Sequence, residues 1–241
     1  MRCVLSLLLL GSLAGSAQPR WTFGLQGAGL SSIARRADNA DVKDFYSQEH
    51  MPTASGGLIV QYRAGNRVQV ESGLHLTGIG FRHVFSQTTT TGMRRFMGSN
   101  QGFTYFRVPV HLRYALGTVS LPFFKMVQPY AVAGPSILFR TESAYRGMRY
   151  NNDWTASAST RPFLGVGAHL GLDLQKRMPR GDAFVASLSG QLGLGRIVES
   201  QWEYEANGTT YRGKTVNRGH FLGMGLAYLF RPYGLHRKSH S

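Results

Sequence analysis

Tyr105-Phe106-Arg107-Val108-Pro109-Val110-His111-Leu112-Arg113-Tyr114-Ala115-Leu116 is the stretch that decides the fold. Phe106, Val108, Val110, Leu112, Tyr114 and Leu116 alternate with Tyr105, Arg107, Pro109, His111, Arg113 and Ala115. A strict period of two is the signature of a β-strand with two unlike faces. One face here is wholly apolar. The other mixes charge, imidazole and small residues.

The same alternation recurs along the chain. It is seen from Trp21 to Gln26, from Leu58 to Arg63 and from Val68 to Thr77. It returns from Leu164 to Leu174, from Phe184 to Leu194 and from Phe221 to Phe230. With a less regular segment from Gln128 to Arg140, broken by Pro129 and Pro135, eight strands are expected. The third segment changes phase near Gly78, since Ile79 and Phe81 follow; a bulge at the glycine is the expectation there.

The chemistry of the two faces separates a membrane barrel from a soluble sandwich. A solvated strand face carries many Lys and Glu. Here the less apolar face carries Gly, Ser, Thr, Gln and His with isolated charges, which suits a narrow, filled lumen. The apolar face carries no Lys, Arg, Asp or Glu at the alternating positions. Lipid would make such a charge cost roughly 2–4 kcal/mol at mid-bilayer for Lys or Arg. The connections alternate in length: 31–55, 84–101, 141–161 and 196–218 are long, whereas 64–66, 117–127 and 176–182 are short. Long outer loops and short periplasmic turns are the habit of outer-membrane barrels. The fold class expected is therefore all-β, an eight-stranded antiparallel up-and-down transmembrane β-barrel. Aromatic girdles are expected at Trp21, Phe23, Tyr62, Tyr114, Tyr130, Tyr228 and Phe230 on the inner side. Phe81, Phe85, Phe103, Tyr105, Phe106, Phe139 and Phe163 are expected to form the outer one.

The ends and the composition agree with export. Arg2 precedes an apolar run that includes Leu7 to Leu10, and Gly15-Ser16-Ala17 offers a cleavage site before Gln18. Residues 1–17 read as a secretory signal peptide, too short to span a bilayer as a helix. Residues 18–230 read as the barrel and 231–241 as a basic tail. The sole cysteine, Cys3, falls in the signal, which excludes a disulfide scaffold and a Cys-ligated metal in the exported chain. Thirty glycines in 241 residues, with only 16% charged residues, also suit a barrel. The formal charge of +15 raises nucleic acid as a partner. Export argues for no nucleic acid, and for anionic lipid or lipopolysaccharide instead.

The stretch Tyr105–Tyr114 resembles the Y-x-x-[IV]-P-[LV]-x-L-[KR]-Y strand of the PorT-like outer-membrane β-barrel proteins common in Bacteroidota-type bacteria. Pro129-Tyr130-Ala131-Val132-Ala133-Gly134-Pro135 is similar to their P-Y-x-x-A-G-P strand. Gly56-Gly57-Leu58 followed by Val68–Leu74 is similar to their second hairpin. Ala227-Tyr228-Leu229-Phe230 resembles the aromatic last strand read by the outer-membrane insertion machinery, although the tail 231–241 extends past the usual end. The resemblance covers residues 19–230. It implies fold and outer-membrane location far more than an activity.

Chemistry for catalysis is sparse. His169 and Asp173 share a face, but four residues place them about 13 Å apart along a strand. His75 and His111 can approach across adjacent strands, without a third ligand for a metal. No Gly-x-Ser-x-Gly occurs. No cofactor, no metal site and no catalytic set is expected. Arg63, Glu71 and Arg113 fall near the inner end on neighbouring strands and are expected to form a structural charge ladder in the lumen. Arg94, Arg95, Arg146, Arg149, Trp154 and Trp202 are candidate loop contacts for lipopolysaccharide phosphate, glycan or a protein. The leading reading is a non-enzymatic envelope protein acting through its outer loops. A narrow channel for small solutes and a lipid-modifying barrel enzyme stay open beside it.

Overall fold

The computed structural model describes residues 21–36, 46–88, 94–122, 125–140, 144–150, 154–160, 163–206 and 209–230. The proposed signal 1–17 and tail 231–241 lie outside them. The strands, in chain order, are β1 (Trp21–Arg36), β2 (Tyr46–Glu49), β3 (Met51–Arg63), β4 (Val68–Thr88), β5 (Arg94–Ala115), β6 (Val119–Leu121) and β7 (Lys125–Arg140). They continue with β8 (Ala144–Tyr150), β9 (Trp154–Thr160), β10 (Phe163–Arg177), β11 (Ala183–Gly193), β12 (Val198–Ala206) and β13 (Thr209–Phe230).

Eight of them close a barrel in the order β1-β3-β4-β5-β7-β10-β11-β13, and β13 pairs back to β1. Every neighbour is antiparallel, with Phe23 opposite Phe230 at the seam. Closure removes the free edges that lipid could not satisfy. Leu112, Leu170 and Leu226 stand outward with 52%, 64% and 71% exposure. The outward rows Thr104–Tyr114, Leu164–Leu174 and Leu222–Phe230 hold no charged side chain. An apolar outer belt that no water-soluble fold could leave exposed is the mark of a transmembrane barrel.

The long connections are mostly strand. The β4–β5 hairpin runs on from the barrel to the pair Thr88–Arg94. β12 pairs along β13 from Val198–Asn217 to Ala206–Thr209, and β9 and β8 continue that sheet outward. The ladders continue because twenty-odd-residue arms such as β4 and β5 keep their backbone groups paired beyond the apolar belt. The alternation fades there in sequence, since the outward face no longer needs to be apolar.

Two expectations are corrected. The ladder of β4 with β5 passes Gly78 without a break, Gly78 facing Thr104, so no bulge sits there. Ile79, Phe81 and Phe85 continue the inward row of His75 and are buried. What changes at Gly78 is the interior, which turns from polar to apolar. The register shift lies elsewhere, between Ile33 and Ala34 against β13. The girdle also differs. Phe81, Phe85, Phe103, Tyr105 and Tyr130 are buried inside, whereas Trp21, Phe23, Tyr114, Phe106, Tyr228 and Phe230 remain outward. Phe106 stacks on Phe139 at 5.2 Å, and Phe23 on Phe230 at 6.5 Å.

Candidate functional site

The interior is the part of the molecule with chemistry to explain, and it is built in tiers. At the short-turn end, alternation turns Arg113 of β5 inward, where it is fully buried. Its Nε donates to Asp173 Oδ2 at 3.0 Å, and its Nη2 is ion-paired with the same oxygen at 2.9 Å. Its Nη1 donates to Gln69 at 2.9 Å and reaches Gln175 at 3.5 Å. Glu71 Oε2 stands 3.6 Å from Arg113 Nε and accepts from Gln61 at 2.7 Å. The Tyr130 ring lies 4.5 Å from the guanidinium carbon and closes this tier. A buried charge survives only when paired and hydrogen-bonded, and Arg113 is both.

Of the three residues of the expected ladder, the structure brings Glu71 and Arg113 together. Asp173, two strands along the wall in β10, is the tighter partner. Arg63 ends β3 half-buried, and the contacts of Glu71 run instead to Gln61, His111 and Arg113. The Asp173 contact bridges sixty residues of sequence. No local spacing signals it; the inward parity of Asp173 in β10 was the available clue.

Above this tier lie His75, Arg107, His111 and His169. His111 and His169 stack with ring centroids 4.0 Å apart. Arg107 Nη2 donates to His75 Nδ1 at 3.0 Å. A carboxylate stands beside this group, with His111 Nδ1 3.6 Å from Glu71 Oε1. These side chains line a cavity of about 30 Å³. Among the described residues, no three His, Cys, Asp or Glu are grouped to hold a metal ion.

The next tier is apolar. Ile79, Phe81, Phe103, Tyr105, Leu138, Ile197 and Val198 form one buried cluster across the barrel mouth. Ile197 comes from the connection between β11 and β12, which folds inward. Its N–H donates to Asn217 O at 2.9 Å. Glycine permits this. Gly219 has φ +79°, and a Cβ there would lie 2.6 Å from Ile197 Cδ1.

A last tier ties the extended arms together over the mouth. Asn217 Nδ2 donates to Ser32 Oγ at 2.9 Å and Gly80 O at 2.7 Å, and its Oδ1 accepts from Gly219 N at 2.8 Å. His83 Nε2 lies 3.1 Å from Ser200 Oγ, which donates to Gln101 at 3.2 Å. Phe85 meets Trp202 edge-on at 5.9 Å. The Ser200–His83 contact resembles a nucleophile and base, but Ser200, His83 and Gln101 all have no exposed surface.

The candidate loop contacts all lie on strands. Arg94 and Arg95 open β5, Arg146 and Arg149 lie in β8, and Trp154 begins β9. The side chains of these five fall outside the described residues. Trp202 is placed in β12 and only 3% exposed, so it packs the cap rather than meeting an outside partner. An aromatic flanked by polar residues reads as a loop contact until the face of its strand is known.

The sequence profile of the family described as "Outer membrane protein beta-barrel domain" matches residues 16–199. No curated protein matches the sequence. Among solved structures, the outer membrane protein OprG from Pseudomonas aeruginosa is 14% identical, with 90% of this chain and 99% of that one covered and a TM-score of 0.41. A major outer membrane protein from Thermus thermophilus is 12% identical, covering 87% and 99%, with a TM-score of 0.43. The N-terminal β-barrel domain of Pseudomonas aeruginosa OprF is 13% identical, covering 88% and 100%, with a TM-score of 0.37. No activity is carried over from these.

Proposed function

This chain belongs to the outer membrane protein β-barrel domain family, and we propose that within it the protein is a closed, non-enzymatic barrel that works through its outward-projecting strand arms. The family places it in the outer membrane of a Gram-negative bacterium. The observation that carries the proposal is the interior, filled by an ionic tier, an imidazole tier and an apolar tier in succession. Eight strands enclose little more than side chains, and here the side chains are large. The cavity left among them is small, about 30 Å³, with room for roughly two water molecules, and the apolar tier stands between it and the mouth.

The arms supply the partner-facing surface. Arg94 and Arg95 sit at the far end of the β4–β5 hairpin, and Arg146 and Arg149 in β8. Guanidinium groups suit the phosphates of lipopolysaccharide through charge-assisted, bidentate hydrogen bonds. The finer kinship we propose is with PorT-like proteins, supported by Tyr105–Tyr114 and Pro129–Pro135. Export by cleavage after Ala17 and delivery to the outer-membrane insertion machinery belong to the same proposal.

The test is titration of the purified barrel with lipopolysaccharide. Weaker binding by the double variant Arg94→Gln/Arg95→Gln supports the assignment. Equal binding by both proteins removes the hairpin from it. Changed lipid A mass spectra on expression would favour the lipid-modifying enzyme.

A further inference from the structure

Arg107 and Arg113 share a strand, a face and a depth of burial, yet their surroundings are opposite. Arg113 holds both nearby carboxylates, Asp173 and Glu71. Arg107 is 5% exposed and has a single hydrogen bond, to His75. Its remaining contact is the Phe221 ring, 5.3 Å from the guanidinium carbon. Among the described residues no carboxylate lies within ion-pair reach of it. A buried guanidinium with that little compensation is costly.

The hydrogen-bond polarity says what is missing. Arg107 can only donate, so His75 Nδ1 must be the acceptor of their bond. A neutral His75 then carries its proton on Nε2. Both His75 Nε2 and Arg107 Nε are buried with no partner. They are therefore two N–H donors without an acceptor, and His169 Nδ1 is also unpartnered. All three side chains line the same 30 Å³ cavity. The rest of the lining mixes polar Gln26, Ser187 and Ser189 with apolar Ile59, Val132 and Val185.

We propose that this cavity is a binding site for one small monovalent anion of the halide class, held by Arg107 and His75 with His169 beside it. A halide accepts several N–H donors at once and neutralises the guanidinium. A water molecule would accept the hydrogen bonds but leave the charge. Glu71 and Asp173 in the same lining disfavour a multiply charged anion such as phosphate. Both are turned to Arg113, and Glu71 further to Gln61 and His111. The site is independent of any surface function, so a failure of the lipopolysaccharide assignment leaves it standing.

The experiment is unfolding of the barrel, refolded in detergent in sodium chloride, bromide or gluconate at equal ionic strength. The midpoint is expected to rise with halide concentration and then saturate, as for a ligand that binds only the folded state. Arg107→Gln is expected to abolish the rise. His75→Phe, which removes one donor and keeps a ring, is expected to weaken it and serves if the first variant does not fold. Crystals grown in bromide are expected to show an anomalous peak beside Arg107. Equal midpoints in chloride and gluconate, with no bromide peak, would mean that the cavity holds water only and would overturn the proposal.

Discussion

Arg113 Nη2 and Asp173 Oδ2 lie 2.9 Å apart across the lumen, joining β5 to β10 with no shared strand border. The contact explains how a polar interior is stable in a narrow barrel. It also predicts an uneven response to mutation. Arg113→Gln should cost about 3–5 kcal/mol, because it leaves the buried Asp173 carboxylate unpaired, and Asp173→Asn should cost less, because Arg113 keeps Glu71 at 3.6 Å. The double variant should recover part of the loss. Glu71→Gln should cost less, since Glu71 stands 3.6 Å from Arg113 and keeps Gln61 and His111. Urea unfolding in liposomes with a double-mutant cycle measures all of this, and strict additivity of Arg113 and Asp173 would deny the coupling.

Outward residues answer to lipid. Leu170→Arg and Leu112→Arg should each cost about 2–4 kcal/mol if central in the bilayer. Folding yield into lipid vesicles, read by the gel shift of unheated samples, checks this. Wild-type yields from both variants would mean that the assigned faces are inverted.

The bend at Gly219 has its own signature. With φ at +79° and Ile197 Cδ1 2.6 Å from where an added methyl would stand, Gly219→Ala combines backbone strain with a clash inside the apolar tier. Roughly 1–3 kcal/mol of destabilisation follows from the strain alone. Gly65, in the turn before β4 with open space around its Cα, serves as the control and should accept alanine at little cost. Parallel chemical denaturation of the two variants separates them.

The parts of this architecture legible in sequence are those fixed by local alternation. Phe106 to Tyr114 disclose an apolar face, and the facing of Leu112 and Leu170 follows from it. Period two cannot say which face looks inward once both faces are apolar. Ile79, Phe81, Phe103 and Tyr105 therefore suggest a bulge and a girdle in sequence, yet they are the apolar stopper of the mouth. Trp202 misleads for the same reason. The ionic tier is half visible, through Glu71 and Arg113 on adjacent strands. Asp173 is not, because its approach depends on the curvature that brings β10 across from β5. The arms beyond the belt look like loops because alternation stops where lipid stops.

The apolar tier gives the barrel its seal. Leu138 is fully buried at its centre, and Leu138→Ala should cost about 2–5 kcal/mol. Single-channel recording in planar bilayers tests the seal itself and, with it, the claim that this interior is closed. The wild-type protein is expected to insert without conductance steps in molar potassium chloride, at either polarity. Reproducible steps from the wild-type protein, abolished by heat denaturation before insertion, would contradict the account and make the lumen a channel.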